Sequence, residues 1–303
     1  MIMLKKSLIY LSCFALLACF ASCNKTEDGV YNPSKKIHKI YEVNENGEAT
    51  LSQDWHWDGD MLTSIDNYYA LLTLTDHFTY DDQSRLTRID NGSSHSEFFY
   101  DGKELRTVIV YQGGDQVGRY NFEYQGRKIS VIKMEIDDDI FDIFKNKGWS
   151  SNPLQFLLPQ LNQTLQPVVK QYAQDSKGSV NITMTLHWDG HNVKTLDIDM
   201  DGLLGMNVTA TTECTFDNKR NPFKGFFSLM SSGSNPMETA FYNQNNLLTS
   251  TTRIASMINS QQEISYEYEG NYPVKVVTKT TYGTSLLGGE ELEITTQMYE
   301  YKE

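Results

Sequence analysis

The chain has little cysteine, little proline and a shortage of positive charge. Its 303 residues include 4 Cys and 7 Pro, and 39 Asp or Glu outnumber 26 Lys or Arg, which gives a formal net charge of −13. A field this acidic argues against nucleic acid as a partner, and no local cluster of Lys and Arg opposes that conclusion. Because few prolines accompany 18 Tyr and 14 Phe, the composition indicates an ordered, aromatic-rich protein rather than a disordered one.

No apolar run is long enough to cross a membrane as a helix. The clearest run stands at the N-terminus, where Lys5 and Lys6 precede a mostly apolar stretch over 8–21. This stretch is too short for a membrane span and suits a signal peptide over 1–22.

The end of the signal peptide points to a lipid anchor. Phe20-Ala21-Ser22-Cys23 resembles the lipobox of bacterial lipoproteins, although Phe20 replaces the usual Leu. We therefore expect acyl chains on Cys23 that anchor the protein to a membrane, a tether over 23–36 and a single domain over 37–303. A plain secretory peptide is the alternative. The stretch 24–29 resembles the export signal of surface lipoproteins in Bacteroidetes-type bacteria. We expect an outer membrane lipoprotein, on either the cell surface or the periplasmic side.

Cysteine usage leaves no intrachain disulfide in the mature protein. Cys13 and Cys19 fall in the signal peptide and Cys23 is the expected lipid site, so Cys214 stands alone. Cys214 alternates with Thr212 and Phe216 along the chain. This pattern predicts a buried, inert thiol rather than a nucleophile.

Motifs that carry catalysis are missing from the sequence. No Gly-x-Ser-x-Gly elbow, His-Glu-x-x-His pair or phosphate-binding loop occurs. Carboxylates are too numerous for any pair to stand out as a glycosidase dyad. We therefore expect neither an enzyme nor a cofactor.

Two weak candidates for a metal site are present. Asp197, Asp199 and Asp201 open like a calcium loop, but the twelfth position of that loop holds no carboxylate. His187 and His191 flank a turn without an evident third zinc ligand. We expect no bound metal.

A short phrase recurs along the chain. An aromatic residue is followed by Asp-Gly or a similar pair, by an aliphatic residue five positions on, and by another three positions later, as Trp57 is followed by Leu62 and Ile65. A repeat of this length predicts one supersecondary unit copied many times. The repeat aromatics, of which Phe216 and Tyr242 open degenerate copies, are Trp57, Tyr80, Tyr100, Tyr124, Trp188, Phe216, Tyr242 and Tyr268.

Each repeat is predicted to be a β-hairpin. Polar residues alternate with aromatics before the turn, as in Trp55-His56-Trp57, which is typical of a strand with one apolar face. Asp-Gly supplies the positive φ of a tight turn, and the aliphatic spacing of three indicates a bulge or a longer loop. Eight units imply roughly sixteen strands in an all-β antiparallel meander. Closure into a barrel would remove the edge strands of this meander, and an open curved sheet or a flattened sandwich is the alternative.

A helical insertion is expected over 138–177, where the repeats are interrupted. Leu154, Leu157, Leu158, Leu161 and Leu165 follow helical spacing. We predict a helical cap that packs across an end or the interior of the sheet. A mobile functional lid is the alternative.

Charged residues on the second face of the strands argue against a membrane-spanning barrel. Glu123, Lys133, Asp197, Lys275 and Glu293 are among the residues assigned to that face. A spanning barrel would instead present an uncharged apolar band to lipid.

Two of the repeats carry a family resemblance. Phe78-Thr79-Tyr80-Asp81 and Phe99-Tyr100-Asp101-Gly102 resemble the YD repeats of bacterial cell-surface proteins. Together with the lipobox, the length and the predicted insertion, they resemble an uncharacterised Bacteroidetes lipoprotein family of unknown function with a porin-like fold. The resemblance implies an antiparallel meander over most of 37–303 that is rolled into a soluble barrel, and it brings no catalytic residues.

Two apolar loops have no place in the repeat, and they hold Phe226, Phe227, Leu229, Met230, Leu286 and Leu287. Exposed, they would form a ligand or partner surface; the alternative is that they fold back onto the core. We expect a non-catalytic, lipid-anchored envelope protein that binds a ligand or partner, with a glycan or a protein as the candidate. The alternatives are a structural or assembly lipoprotein and a hydrolase of envelope polymers or glycans.

Overall fold

The computed structural model describes residues 30–69, 72–136, 180–203, 206–226, 242–254, 258–284 and 289–302. The predicted signal peptide, the predicted lipid site at Cys23 and the predicted insertion over 138–177 lie outside these ranges. Of the two apolar loops, Phe226 is described, whereas Phe227, Leu229, Met230, Leu286 and Leu287 are not. Among the described residues, no helix is long and apolar enough to cross a membrane.

Within these ranges the chain forms sixteen strands in one antiparallel barrel. Each strand pairs with its neighbours in chain order and the last strand pairs with the first, so the sheet is closed. The predicted all-β barrel is confirmed, and the open curved sheet is excluded. The strands are β1 (Ile37–Val43), β2 (Ala49–Asp58), β3 (Met61–Tyr68), β4 (Thr73–Tyr80), β5 (Leu86–Asp90), β6 (Ser94–Asp101), β7 (Glu104–Gln112), β8 (Asp115–Gln125), β9 (Lys128–Ile136), β10 (Val180–Asp189), β11 (Asn192–Leu203), β12 (Met206–Phe216), β13 (Leu247–Ile254), β14 (Ile258–Glu269), β15 (Tyr272–Thr284) and β16 (Gly289–Tyr301).

The first and last strands form an antiparallel pair that takes the place of one hairpin. β16 ends in the aromatic residues Tyr299 and Tyr301, and β1 supplies the paired aliphatic residues Ile37 and Ile40. Tyr242, which was predicted to open a repeat, lies instead in the connection between β12 and β13. The number of hairpins is still eight, because the pair β16 and β1 replaces the wrongly assigned copy. A pair of strands from opposite ends of the chain has no local signal in the sequence, which explains the error.

Five hairpins share one turn conformation and one bulge. The pairing register shifts at the repeat aromatic, for example between His56 and Trp57 where β2 pairs with β3. The predicted bulge is therefore confirmed. In the β4–β5 connection, which has one extra residue, Ser84 adopts the positive φ, at 60°. In the other hairpins a residue without Cβ occupies this conformation at little cost, with φ between 55° and 65° at Gly59, Gly102, Gly126, Gly190 and Gly270.

Among the described strands, a ladder of side-chain hydrogen bonds joins seven of the eight strand pairs to the one before it, and Phe216 of β12 has no hydroxyl for such a bond. The Tyr100 hydroxyl donates to Leu86 O at 2.7 Å, and Trp188 Nε1 donates to Ile129 O at 2.7 Å. A cation covers several of these half-buried rings, as the Arg85 guanidinium carbon lies 4.8 Å from the Tyr100 ring centroid. The ladder lies at the end of the barrel that carries the repeat turns, which we call the Asp-Gly end. Five further ladder bonds run from Trp57, Tyr80, Tyr124, Tyr266 and Tyr301 to backbone carbonyls of the neighbouring hairpin.

The two faces of the sheet differ in polarity. The apolar side chains of the inner face form one continuous cluster. In it, Trp55, Phe78, Phe98 and Phe122 each stand two residues before a repeat aromatic. The outer face carries ion pairs such as Lys133–Glu123 and Lys275–Glu267. Glu293 was predicted to lie on this outer face. It stands opposite the buried Thr280 in the register of β15 and β16, and so its side chain lies on the inner face. The sequence alone gave no register for β16.

Candidate functional site

The described part of the β12–β13 connection folds into the Asp-Gly end of the barrel. Phe226 is 6% exposed, and its ring centroid lies 4.8 Å from that of Trp55 and 6.1 Å from that of Phe78. The Phe223 ring lies 5.7 Å from that of Tyr299. These contacts reach β2, β4 and β16, so the connection covers the interior at this end. Phe226 thus folds back onto the core and is no part of an exposed partner surface.

The N-terminal segment adds a third ring to this aromatic plug, which consists of Tyr31, Phe223 and Phe226. Tyr31 is buried, its ring centroid lies 5.2 Å from that of Phe226, and its hydroxyl donates to Pro222 O at 2.8 Å. Burial raises the pKa of Tyr31 well above its usual value, so its hydroxyl stays protonated and able to donate. The chain therefore enters the barrel at the Asp-Gly end.

Polar groups attach the same connection to the barrel rim. Asn243 Oδ1 accepts a hydrogen bond from Val193 N at 2.7 Å, at the start of β11. The Tyr268 hydroxyl donates to the carboxylate of Asp217, at the start of the connection. Because Tyr268 is engaged in this way, Tyr266 makes the ladder bond of its hairpin. The β12–β13 connection is thus hydrogen-bonded to β11 and β14, and its aromatic rings pack against β2, β4 and β16.

Beyond the plug, the inner wall divides into two arcs. The apolar arc runs from β7 to β11 and presents buried Val108, Met134, Ile182, Ile198 and Met200. The polar arc runs from β12 through β16 and β1 to β6 and presents hydroxyl, amide and carboxyl groups. Its members include Gln53, Asn67, Asp76, Ser96, Thr212, Ser250, Thr252, Ser260, Gln262, Thr280, Glu293 and Gln297.

One hydrogen-bonded chain in the polar arc crosses β2, β3 and β4. Gln53 Nε2 donates to Asn67 Oδ1 at 2.9 Å, and Asn67 Nδ2 donates to Asp76 Oδ2 at 2.8 Å. Trp55 Nε1 donates to Gln53 Oε1 at 3.1 Å, which joins this chain to the aromatic rings around the plug. Asn67 and Asp76 are 1% and 0% exposed, so their polar atoms depend on such partners.

A second chain in the polar arc crosses β13 to β15, and a separate hydroxyl pair joins β12 to β13. The Ser250 hydroxyl donates to Gln262 Oε1 at 3.0 Å, and Gln262 Nε2 donates to Thr280 Oγ1 at 3.4 Å. The hydroxyls of Thr212 and Thr252 lie 2.9 Å apart. Both chains therefore present fixed donors and acceptors on one side of the interior.

Three glutamines give the polar arc access to solvent. Gln53, Gln262 and Gln297 are partly exposed, whereas most other members of the arc are buried. Each amide carries both donors and an acceptor, and such groups can exchange their present partners for those of a bound molecule. The arrangement suits recognition of a hydroxyl-rich or amide-rich ligand.

The sequence interpretation missed the polar arc, although a signal for it exists. In each strand that carries an aromatic of the ladder (Phe216 in β12), the residue four positions before that aromatic points into the barrel. The side chains of the two arcs differ at this position. On the apolar arc this position holds Tyr120 and Met184. On the polar arc it holds Gln53, Asp76, Ser96, Thr212, Gln262 and Gln297.

The predicted metal candidates do not come together. His187 Nε2 lies 2.8 Å from Asp197 Oδ2 on the outer face, whereas Asp199, Asp201 and His191 are exposed separately. Within the described ranges, no group of three or more His, Cys, Asp or Glu residues is placed to hold a metal ion.

The His187 pair has a counterpart on the opposite side of the barrel. His56 Nε2 lies 2.9 Å from Asp66 Oδ2, and Thr75 donates to Asp66 Oδ1 at 2.6 Å. The hydrogen bond from Thr75 is the main cause that lowers the pKa of Asp66 below its usual value. Each His–Asp pair joins the two strands of one hairpin on the outer face, and a Thr hydroxyl from the next hairpin, Thr75 or Thr211, donates to the same Asp.

Nucleophiles and paired acids are scarce in the described interior. Cys214 is buried, and burial raises the pKa of its thiol to about 12. Among the described residues, Asp76 is the one buried carboxylate. The described interior therefore lacks the pair of desolvated carboxylates that a glycosidase would use.

Comparison with known proteins identifies a fold. No protein-family model matches the chain, and no curated protein matches it in sequence. A porin-like protein from Bacteroides uniformis resembles it with a TM-score of 0.51 at 11% identity, over 90% of this chain and 100% of that one. The chain has a porin-like fold. A second porin-like protein, from Bacteroides vulgatus, gives a TM-score of 0.40 at 9% identity over 89% and 99% of the two chains.

Proposed function

We propose that this porin-like barrel is a non-catalytic, lipid-anchored outer membrane protein whose interior binds a glycan or a similar hydroxyl-rich ligand. The aromatic plug is the observation that carries the proposal. The rings of Tyr31, Phe223 and Phe226 pack into the interior at the Asp-Gly end, which supports a floored interior over an open passage. A floored interior with polar groups on one side is suited to hold a molecule rather than to conduct one.

The polar arc supports the choice of ligand class. Sugar hydroxyls pair with amides and carboxylates, and sugar faces pack on aromatic rings. Gln53 stands beside both kinds of group, because it bonds Asn67 and accepts from the indole of Trp55. A ligand that reached Gln53 would thus meet hydrogen-bonding groups above and an aromatic floor below.

The lipid anchor is supported by the sequence of the N-terminus. Cys23 follows a signal-type apolar run and two small residues, and Tyr31 fixes the following segment to the barrel. Acyl chains on Cys23 would therefore hold the whole barrel close to a membrane.

Ligand binding is tested by titrating purified protein that carries Cys23→Ser with soluble envelope glycans, in a calorimeter. We expect at least one glycan to bind, and Gln262→Leu to weaken that binding about tenfold or more, because a lost polar partner is worth roughly one to two hydrogen bonds. Lys133→Gln, on the outer face, is the matched control and should leave the affinity unchanged.

Two outcomes would count against the binding proposal. The first is that no glycan of the panel binds, which would make a structural or assembly role the better account. The second is that Gln262→Leu and Lys133→Gln weaken binding equally, which would place the ligand outside the interior.

A further inference from the structure

We infer that the Asp-Gly end of the barrel faces the bilayer that holds Cys23, so that the polar arc opens away from the membrane. The inference rests on the lipid anchor in the proposed function and adds the surface that meets the lipid. It follows from where the N-terminal segment is fixed, from the length of chain that remains, and from the charge of the two barrel ends.

The N-terminal segment is fixed at the Asp-Gly end. Tyr31 is buried in the plug, and its hydroxyl donates to Pro222 O at 2.8 Å. A few residues later, Ile37 O accepts from Trp57 Nε1 at 2.8 Å, and Lys36 Nζ lies 5.8 Å from the Trp57 ring centroid. These bonds hold the chain at this end from Tyr31 onward.

The remaining chain is shorter than the tallest part of the barrel wall. Tyr31 lies eight positions after Cys23, and a fully extended chain spans at most about 3.6 Å per residue, or roughly 29 Å. The 13 residues of β16 extend roughly 44 Å at about 3.4 Å per residue. At the usual barrel tilt of about 40°, the wall at β16, one of the two longest strands, stands roughly 34 Å tall. An extended tether therefore falls short of the tallest part of the wall, so the lipid end of the tether stays nearer the Asp-Gly end, where Tyr31 is fixed.

The charge of the opposite end favours the same orientation. The repeat turns of the Asp-Gly end carry exposed cations such as Lys103 and Arg127 together with exposed acids such as Asp60 and Asp82, so this end has charges of both signs. Three described connections at the opposite end, at 44–48, 91–93 and 113–114, contain no Lys or Arg, and the first contains Glu45 and Glu48. Anionic lipid headgroups attract exposed Lys and Arg and repel Glu.

The test compares the depth of two labels in acylated, full-length protein reconstituted into phosphatidylethanolamine–phosphatidylglycerol vesicles. In a Cys214→Ser background, Lys103→Cys marks the Asp-Gly end and Glu45→Cys marks the opposite end, and each thiol carries an environment-sensitive fluorophore. Nitroxide lipids in the vesicle quench fluorophores near the headgroups. We expect at least threefold stronger quenching at position 103 than at position 45.

A longer tether is the matched control. Twenty Gly and Ser residues inserted between positions 29 and 30 extend the reach well beyond the barrel height, so the quenching ratio should fall toward one if the tether sets the orientation. If the ratio stays above three with the long tether, headgroup charge holds the same end down, and repeating the measurement in phosphatidylcholine vesicles should abolish it.

The outcomes separate this inference from the proposed function. Equal quenching at both positions in acylated protein, or stronger quenching at position 45, overturns the orientation and leaves the anchor intact. If the wild type lacks acyl chains, or if Cys23→Ala fractionates with membranes as the wild type does, the anchor and the orientation fall together.

Discussion

The polar and apolar arcs of the barrel share the same ladder of hairpins at the Asp-Gly end. They differ in the inward-facing side chains that lie beyond this ladder. Tyr124 on the apolar arc and Tyr100 on the polar arc make the same ladder bond at the Asp-Gly end. Four residues before these aromatics, the apolar arc has Tyr120 and the polar arc has Ser96. The hairpin geometry is therefore fixed at one end of each strand, and the other half of the inner wall is free to vary.

The difference between the arcs has an energetic meaning. Buried apolar side chains such as Ile182 and Met200 stabilise the barrel by leaving water. Hydrogen bonds such as those of Asn67 exchange water partners for protein partners, and their net contribution is small. A wall of polar groups adds less stability than an apolar wall would, which is consistent with a role in binding.

The largest expected effect comes from shortening an apolar-arc side chain. Ile182 is 0% exposed, so Ile182→Ala should leave a cavity and lower the free energy of unfolding by about 2–5 kcal/mol, measured by urea denaturation. The matched change on the polar arc is Thr212→Val with Thr252→Val, which removes both partners of one hydrogen bond without loss of volume. That double variant should stay within about 1 kcal/mol of the wild type. Equal losses for the two changes would contradict the division into arcs.

A double-mutant cycle on Asn67 and Asp76 sharpens the comparison. Asn67→Leu removes a donor from the buried Asp76 carboxylate and should lower the free energy of unfolding by about 1–3 kcal/mol. Adding Asp76→Leu removes the carboxylate itself, so the double variant should recover most of that loss. Urea denaturation of the four proteins measures the coupling. A double variant less stable than Asn67→Leu alone would show that the polar arc is needed for folding.

The sequence predicted the scaffold better than the interior. Trp57, Leu62 and Ile65 carry the hairpin signal within nine residues, so turn, bulge and inner face followed from local chemistry. The partners of Gln53 and Asp76 lie on other strands, and only the closed sheet brings them together. Contacts that depend on register and closure leave little trace in local spacing.

The plug is a second feature that local sequence patterns did not predict. Phe226 was recognised as an apolar residue without a place in the repeat, but its partner Trp55 lies 171 positions earlier in the chain. Tyr31, which completes the plug, was assigned to a tether. No spacing rule joins segments this far apart, whereas a shared need to bury aromatic surface at one barrel end does so in the folded protein.

The smallest expected effect concerns the ladder that both arcs share. Tyr100→Phe keeps the ring under Arg85 and removes the hydroxyl that donates to Leu86 O. The free energy of unfolding at pH 8 should fall by about 0.5–1.5 kcal/mol, the net contribution of one hydrogen bond. Phe216 occupies the equivalent position of β12, so a hairpin forms without this hydroxyl and the fold should survive.

The pH dependence separates the hydroxyl from the ring. Burial raises the pKa of Tyr100 above its usual value of 10, so its contribution to stability is fully present below about pH 10 and is lost as pH rises toward the folded-state pKa. The wild type should therefore lose its advantage over Tyr100→Phe between pH 9 and 11, when the midpoints of urea denaturation are compared. If the difference stayed constant over that range, Tyr100 would titrate alike in the folded and unfolded states. The ladder hydroxyl could then not be the buried donor that joins one hairpin to the next.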